Sequence, residues 1–208
     1  MKPAAASRAV WLWIFLGPVL VALAFYFDAA KQGWLMAHRS DAGIDFMRAV
    51  SKWGDYPSHV AAGVAGALLS YLIGRRDWTR IFIAMLLACA LAGAVNRGVA
   101  LSTGRSRPAV KENVGWNGPS FDQKYRSFPS GHTSCSMGFF APLFFFRRRI
   151  GLPFFAIPLL IASSRLYLNA HHLSDVVVGA LLGLCCGFLV WRWFVRMQPH
   201  APLVQERS

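Results

Sequence analysis

From residue 10 to residue 195 the chain alternates long apolar runs with short segments rich in arginine. The runs cover residues 10–27, 59–73, 81–101, 130–146, 152–168 and 171–195. About 20 apolar residues cross the hydrocarbon core of a bilayer. Backbone N–H and C=O groups in lipid must be satisfied inside the segment, so such runs fold as helices. The pattern predicts an all-α polytopic bundle of six transmembrane helices, with residues 1–208 forming a single membrane domain. Lys2 and Arg8 precede the first run in the manner of a signal peptide. That run is long for a signal sequence and no small-x-small site follows, so it is expected to stay as the first span, kinked at Pro18. Residues 28–57 are polar, with Ile44, Phe46, Met47, Val50 and Trp53 near helical spacing. They read as a helix lying at the interface or as a connecting loop.

Charge decides the orientation. The chain carries 22 Lys and Arg against 9 Asp and Glu, a net +13, which in a soluble protein would suggest nucleic acid. Here residues 55% apolar overall separate the basic clusters at 75–80, 147–149 and 192–196. The positive-inside rule accounts for those clusters, so no nucleic-acid partner is expected and both termini fall in the cytoplasm. The loop at 102–129 and the turn at 165–175 then lie outside. That loop nevertheless holds Arg105, Arg107, Lys111, Lys124 and Arg126. A basic cluster on the unfavourable side is explained by an anionic ligand, or for Lys124 and Arg126 by solvation. Cys89, Cys135, Cys185 and Cys186 lie inside apolar runs without metal-ligand spacing, and read as small buried residues. Trp11, Trp13, Trp191 and Trp193 suit aromatic belts at the ends of spans.

Three short segments carry chemistry. Residues 165–175 read Arg-Leu-Tyr-Leu-Asn-Ala-His-His-Leu-Ser-Asp, setting a guanidinium, two imidazoles and a carboxylate between apolar runs. Ionisable residues at a membrane boundary are costly unless partnered, so this is a functional site by default. In a helix over 171–187, Asp175 lies one turn beyond His171 and can accept one ring proton, leaving the other nitrogen as base or nucleophile. His172, three residues from Asp175, pairs with it equally well on spacing alone. Arg165 must converge from the preceding helix across a turn at Asn169 and Ala170, which Tyr167 helps to shape. The second segment is Gly104-Arg105-Ser106-Arg107-Pro108, just after the third run. The third is Ser127-Phe128-Pro129-Ser130-Gly131-His132, opening the fourth. Pro-Ser-Gly before an apolar run reads as a helix N-terminus with Ser130 as N-cap, where amides and dipole favour an anion. Arg107 and Arg165 can grip phosphate oxygens bidentately. Asp45, Trp53, Asp55 and His59 read as interface residues rather than ligands.

Arg107-Pro108, Pro129-Ser130-Gly131-His132, and Ser164-Arg165 spaced to His171 and Asp175 together resemble the type 2 phosphatidic acid phosphatase (PAP2) family, within the vanadium haloperoxidase superfamily. The resemblance covers about residues 55–195, with 102–129 as the outer catalytic loop. It implies that His171 is the nucleophile, forming a phosphohistidine, and that Asp175 orients it. His132 protonates the leaving oxygen and then activates water. Arg107, Arg165, Ser130 and the Gly131 amide hold the phosphate oxygens, with Arg105 and Arg97 as further phosphate-binding candidates. The chain departs from the family pattern at Ala100, where a lysine is expected. Arg97 snorkelling from one turn earlier, Lys111, or a weakened site, or one tuned to a less charged substrate, each accounts for the departure.

The expected activity is hydrolysis of a lipid phosphate or diphosphate at the outer face, without metal or other cofactor. Polyprenyl diphosphate, phosphatidic acid, phosphatidylglycerophosphate and lipid A are the substrate classes, with membrane lipids as the surroundings. A lipid phosphotransferase would use the same site, and a degenerate lipid-phosphate-binding bundle is the non-enzymatic alternative. A vanadium-dependent oxidase would be a larger soluble chain. Small size and short loops point to a bacterial inner membrane with a periplasmic active site.

Overall fold

The computed structural model describes residues 3–197, with side chains from residue 15 onward. Nine α-helices are formed within that range: α1 (Pro3–Tyr26), α2 (Asp28–His38), α3 (Asp41–Trp53), α4 (Tyr56–Leu72), α5 (Arg76–Thr103), α6 (Gly131–Phe146), α7 (Arg148–Phe154), α8 (Ala156–Tyr167) and α9 (Leu173–Arg196). No strand occurs among the described residues. The expected apolar runs correspond to α1, α4, α5, α6, the α7–α8 pair and α9. Helix α1 continues through Pro18. Arg148–Tyr167, Arg76–Thr103 and Leu173–Arg196 are long and apolar enough to cross a membrane, and Phe15–Tyr26 is a shorter apolar stretch. Helices α4 and α6 have 17 and 16 residues.

Helix α6 is the axis of the bundle. It is apolar or small on every side, and such a helix is stable only when covered all round. Residues Thr133 to Leu143 are all buried, and α6 packs on α5, α7, α8 and α9. Against α5, Cys135, Phe139, Phe140 and Leu143 meet Ile81, Met85 and Cys89 to form a continuous core. Against α9 the approach is closer, because Gly179, Gly183 and Gly187 recur every fourth residue on one face. A methyl group at Gly183 would stand 2.4 Å from the Ser134 carbonyl oxygen, and one at Gly187 would stand 2.4 Å from Ala141 Cβ. Small residues at this spacing let two backbones meet, which is the main attraction available to helices in lipid.

The segment at 28–57 forms two helices, α2 and α3, rather than one. The Ser40 hydroxyl accepts from the Gly43 amide at 3.2 Å and starts α3. Ile44, Met47 and Val50 are half-buried while Phe46 and Trp53 are exposed. Helix α3 packs along α8, where the Tyr167 hydroxyl accepts from the Ser40 amide at 3.1 Å. Three cysteines are buried as expected, but Cys185 is exposed, because it lies beside rather than on the inner face of α9. Trp193 is exposed, whereas Trp191 packs on Phe145 and Phe188. The side chains of Trp11 and Trp13 lie outside the described ones.

The stretch between α5 and α6 is ordered by its own hydrogen bonds. Gly104 ends α5 in the left-handed region at φ 60°, and a Cβ there would overlap the Gly118 carbonyl oxygen at 1.7 Å. Only glycine tolerates that position. Ser106 and Gly115 then exchange bonds of 2.8 and 2.9 Å. The Arg107 amide donates to the Lys124 carbonyl at 2.9 Å, and the Ser127 amide to the Arg105 carbonyl at 3.0 Å.

Candidate active site

At one end of the bundle α5 and α8 finish and α6 and α9 begin, and all three motif segments meet there. Asn169, at φ 54°, reverses the chain between α8 and α9. His171 lies in this turn, not inside a helix, because α9 starts at Leu173. The expected pairing of His171 with Asp175 is made across the start of α9 rather than along one helical turn, and a main-chain acceptor is added to it. His171 Nδ1 is 2.8 Å from the Ser127 carbonyl oxygen and 3.5 Å from Asp175 Oδ2. A carbonyl only accepts, so Nδ1 carries the hydrogen and Nε2 keeps its lone pair. His171 is 2% exposed. Burial pushes its imidazole below the ordinary value and holds it neutral.

Asp175 is a fully buried hub. Its Oδ2 accepts from the Ser127 hydroxyl at 2.5 Å and the His172 amide at 2.8 Å, and its Oδ1 from Arg105 at 2.5 Å. Its main-chain carbonyl accepts the Ser130 amide at 2.9 Å. The carboxylate thus faces the His171 ring directly and also holds the segments on either side of it. His172, half-buried, donates from Nε2 to the Ser106 carbonyl at 3.2 Å and fastens the turn to the α5–α6 loop. Burial lowers its pKa as well.

Arg105, expected among the phosphate-binding residues, is instead engaged by protein groups. Its guanidinium bonds Asp28 at 2.8 Å, Asp175 at 2.5 Å and the Ser174 hydroxyl at 2.6 Å. The rings of Phe25, Trp116 and Phe128 stand around it, with centroids 5.1, 5.0 and 5.9 Å away. A guanidinium is weakly hydrated and planar enough to be buried this way. Arg97 is also misplaced for the site. It is exposed on α5, one residue past buried Asn96, and one residue turns a helix by about 100°. Lys111 is exposed as well.

Arg107 and Arg165 do converge. Arg107 donates to the Ala170 carbonyl at 3.4 Å and from Nε to the Gln123 carbonyl at 3.0 Å. Burial lowers its pKa from the ordinary value, and a guanidinium stays charged regardless. Arg165, at the end of α8, bonds the Ser51 hydroxyl of α3, and its Nε is buried with no hydrogen-bond partner. Arg107, Arg165, His171 and Asp55 all act electrostatically on the His132 ring in the first turn of α6. That turn is held by Asn96, which donates to the Pro129 carbonyl at 3.0 Å and the Ser134 hydroxyl at 3.1 Å. Ser130 stands at the N-cap, but its hydroxyl accepts from Thr133 Oγ1 at 3.0 Å instead of capping the backbone. The amides of Gly131, His132 and Thr133 have no acceptor within the helix. Two guanidiniums, a helix N-terminus and a neutral imidazole make a cradle for a tetrahedral anion.

Residues 81–199 match the model of the PAP2 superfamily. The chain belongs to the PAP2 superfamily. Among PAP2 relatives, the undecaprenyl-diphosphatase BcrC of Bacillus subtilis is 32% identical over 78 residues, 38% of this chain and 40% of that protein. The lipid A 1-phosphatase of Rhizobium etli is 30% identical over 126 residues, 59% of this chain and 51% of that protein. The matched segments thus span about half or less of these curated relatives. The crystal structure of a transmembrane PAP2 type phosphatidylglycerolphosphate phosphatase from Bacillus subtilis shares the fold. It has a TM-score of 0.67 at 22% identity, over 92% of this chain and 98% of that one.

Several residues that build the site escaped the sequence reading, and most precede the PAP2 match. Asp28 accepts from the Ser174 amide at 2.9 Å and the Ser174 hydroxyl at 2.6 Å. Lys31 donates to the His171 carbonyl at 3.3 Å, and Gln32 to the Pro108 carbonyl at 3.3 Å. Burial lowers the Lys31 pKa while Asp28 and Asp175 act to raise it. Asp28 follows an apolar run directly, and an acid at that boundary was a signal for a buried partner. Ser51 carries no such signal. Asp55, read as an interface residue, stands 3.6 Å from His132 Nε2.

Proposed function

We propose that the protein is an integral-membrane phosphatase that hydrolyses a lipid phosphate or diphosphate through a phosphohistidine intermediate. The observation that carries this reading is buried His171 with Nε2 left free, in the turn after Arg165 to which Arg107 is bonded through the Ala170 carbonyl, the Arg165 Nε being buried with no hydrogen-bond partner among the described residues. His171 Nε2 attacks phosphorus as the P–O bond to the leaving group breaks. His132 gives its proton to the departing oxygen. His132 then takes a proton from water, whose oxygen attacks phosphorus, breaks the P–N bond and frees phosphate. Arg107, Arg165, the Ser130 hydroxyl and the Gly131 amide stabilise charge on the equatorial oxygens. The relatives named above, an undecaprenyl-diphosphatase and a lipid A 1-phosphatase, support a lipid substrate for this chain.

The catalytic core is residues 55–195, closed over by the loop at 102–129. Six spans place the termini in the cytoplasm and the site at the periplasmic face of a bacterial inner membrane. The apolar helices and the arginines at 75–80, 147–149 and 192–196 support that orientation. A reporter active only in the cytoplasm, fused after Ser208, is expected to be active. An inactive one, with the complementary periplasmic reporter active, reverses the topology.

Detergent-purified protein is expected to release phosphate from at least one of phosphatidic acid, phosphatidylglycerophosphate, polyprenyl diphosphate and lipid A. Acid-sensitive, base-stable phosphoprotein is expected on rapid quenching, as a phosphoramidate requires. Absence of release from every member would sink the phosphatase reading.

A further inference from the structure

In the proposed reaction the proton on His132 Nε2 goes to the leaving oxygen, so that nitrogen marks the leaving-group side of the scissile bond. A carboxylate already stands there. Asp55 Oδ1 lies 3.6 Å from His132 Nε2. Its place is set by the backbone: Asp55 is the N-cap of α4, and Oδ1 accepts the Tyr56 amide at 2.8 Å. Its main-chain carbonyl accepts the His59 ring at 3.0 Å. That ring in turn packs edge-on against Phe139 and Phe140 of α6, the helix that carries His132. The Asp55 side chain is 55% exposed against 24% for His132, so it lies on the open side of the pair.

Arg165 from α8, Arg107 from the α5–α6 loop and His171 from the α8–α9 turn supply the phosphate cradle, and Asp55 from the α3–α4 turn supplies negative charge. When a phosphomonoester reacts, the P–N bond forms, the P–O bond breaks and the His132 proton makes the leaving oxygen a neutral alcohol. When a diphosphate reacts, the same proton transfer leaves a phosphate monoester that is still anionic. That anion must form beside the Asp55 carboxylate. Two like charges a few ångströms apart near a protein surface change a rate by about five- to tenfold after solvent screening.

We propose that Asp55 is a specificity-determining residue that selects lipid phosphomonoesters, whose leaving group is a neutral alcohol, over lipid diphosphates. This rests on the phosphatase reading above and narrows its substrate class. It also fits the departure at Ala100, since a site with one cation fewer than the family pattern suits the less charged substrate.

The test uses phytanyl phosphate and phytanyl diphosphate, which share one tail and differ in the charge of the leaving group. Initial rates of phosphate release give kcat/KM for each, for the parent and for Asp55→Asn. Asparagine caps a helix about as well as aspartate, so the substitution removes charge and keeps the turn. The ratio of monophosphate to diphosphate kcat/KM is expected to fall about five- to tenfold in Asp55→Asn. A merely structural role for Asp55 lowers both rates together, and an unmoved ratio in an active variant overturns the assignment of Asp55 alone. No phosphate from either phytanyl substrate, with protein that releases phosphate from a member of the lipid panel above, overturns this proposal alone; no release from that panel as well overturns the phosphatase reading with it.

Discussion

His171→Ala is expected to lower phosphate release by roughly four orders of magnitude or more, and His172→Ala by no more than about tenfold. The two imidazoles are adjacent in the chain and differ in what their nitrogens do. His171 donates from Nδ1 to the Ser127 carbonyl, which leaves Nε2 as a neutral lone pair. His172 donates from Nε2 to the Ser106 carbonyl and so acts as a fastening for the loop. Rapid quenching of each variant in alkaline denaturant with labelled substrate, which preserves a phosphoramidate, separates the roles. Labelled protein should persist in His172→Ala and vanish in His171→Ala. The reverse pattern would exchange the two assignments.

Arg105→Ala is expected to destabilise the fold by about 3–5 kcal/mol, seen as a large fall in melting temperature in detergent. The loss is large because Asp28 and Asp175 would remain buried without their shared cation, their side chains being 12% and 0% exposed. Arg107→Ala is expected to melt close to the parent and to raise KM, because among the described residues the Arg107 side chain bonds only carbonyl oxygens and is in no ion pair. If instead Arg105→Ala melted like the parent and raised KM, the aromatic-lined ion pair would not be the structural element described above.

The helices were readable because long apolar runs admit few alternatives in lipid, and the ends of α5, α6 and α8 fall within a few residues of the apolar boundaries. The motif segments were readable because each is local. What escaped is tertiary. Asp28 meets Ser174 across 146 positions of chain, and Ser51 meets Arg165 across 114. No spacing rule reaches so far. Arg105 and Arg107 look alike in sequence, two residues apart in one basic loop, and only burial tells the structural guanidinium from the one left for an anion. His171 and Asp175 suggested a pair within one helix, but the helix begins after His171, so the two meet across its start and the carboxylate holds the neighbours of the imidazole as well.

The Asp28 carboxylate sets a limit on how the chain can be divided. Its two oxygens take the first-turn amide and hydroxyl of Ser174 and one arm of Arg105, yet it lies 53 positions before the matched segment opens at Ile81. A fragment cut at that boundary would keep every motif residue and lose the counter-charge that lets two of them stay buried. Swapping the segment into another scaffold would therefore transplant the catalytic groups without their anchor.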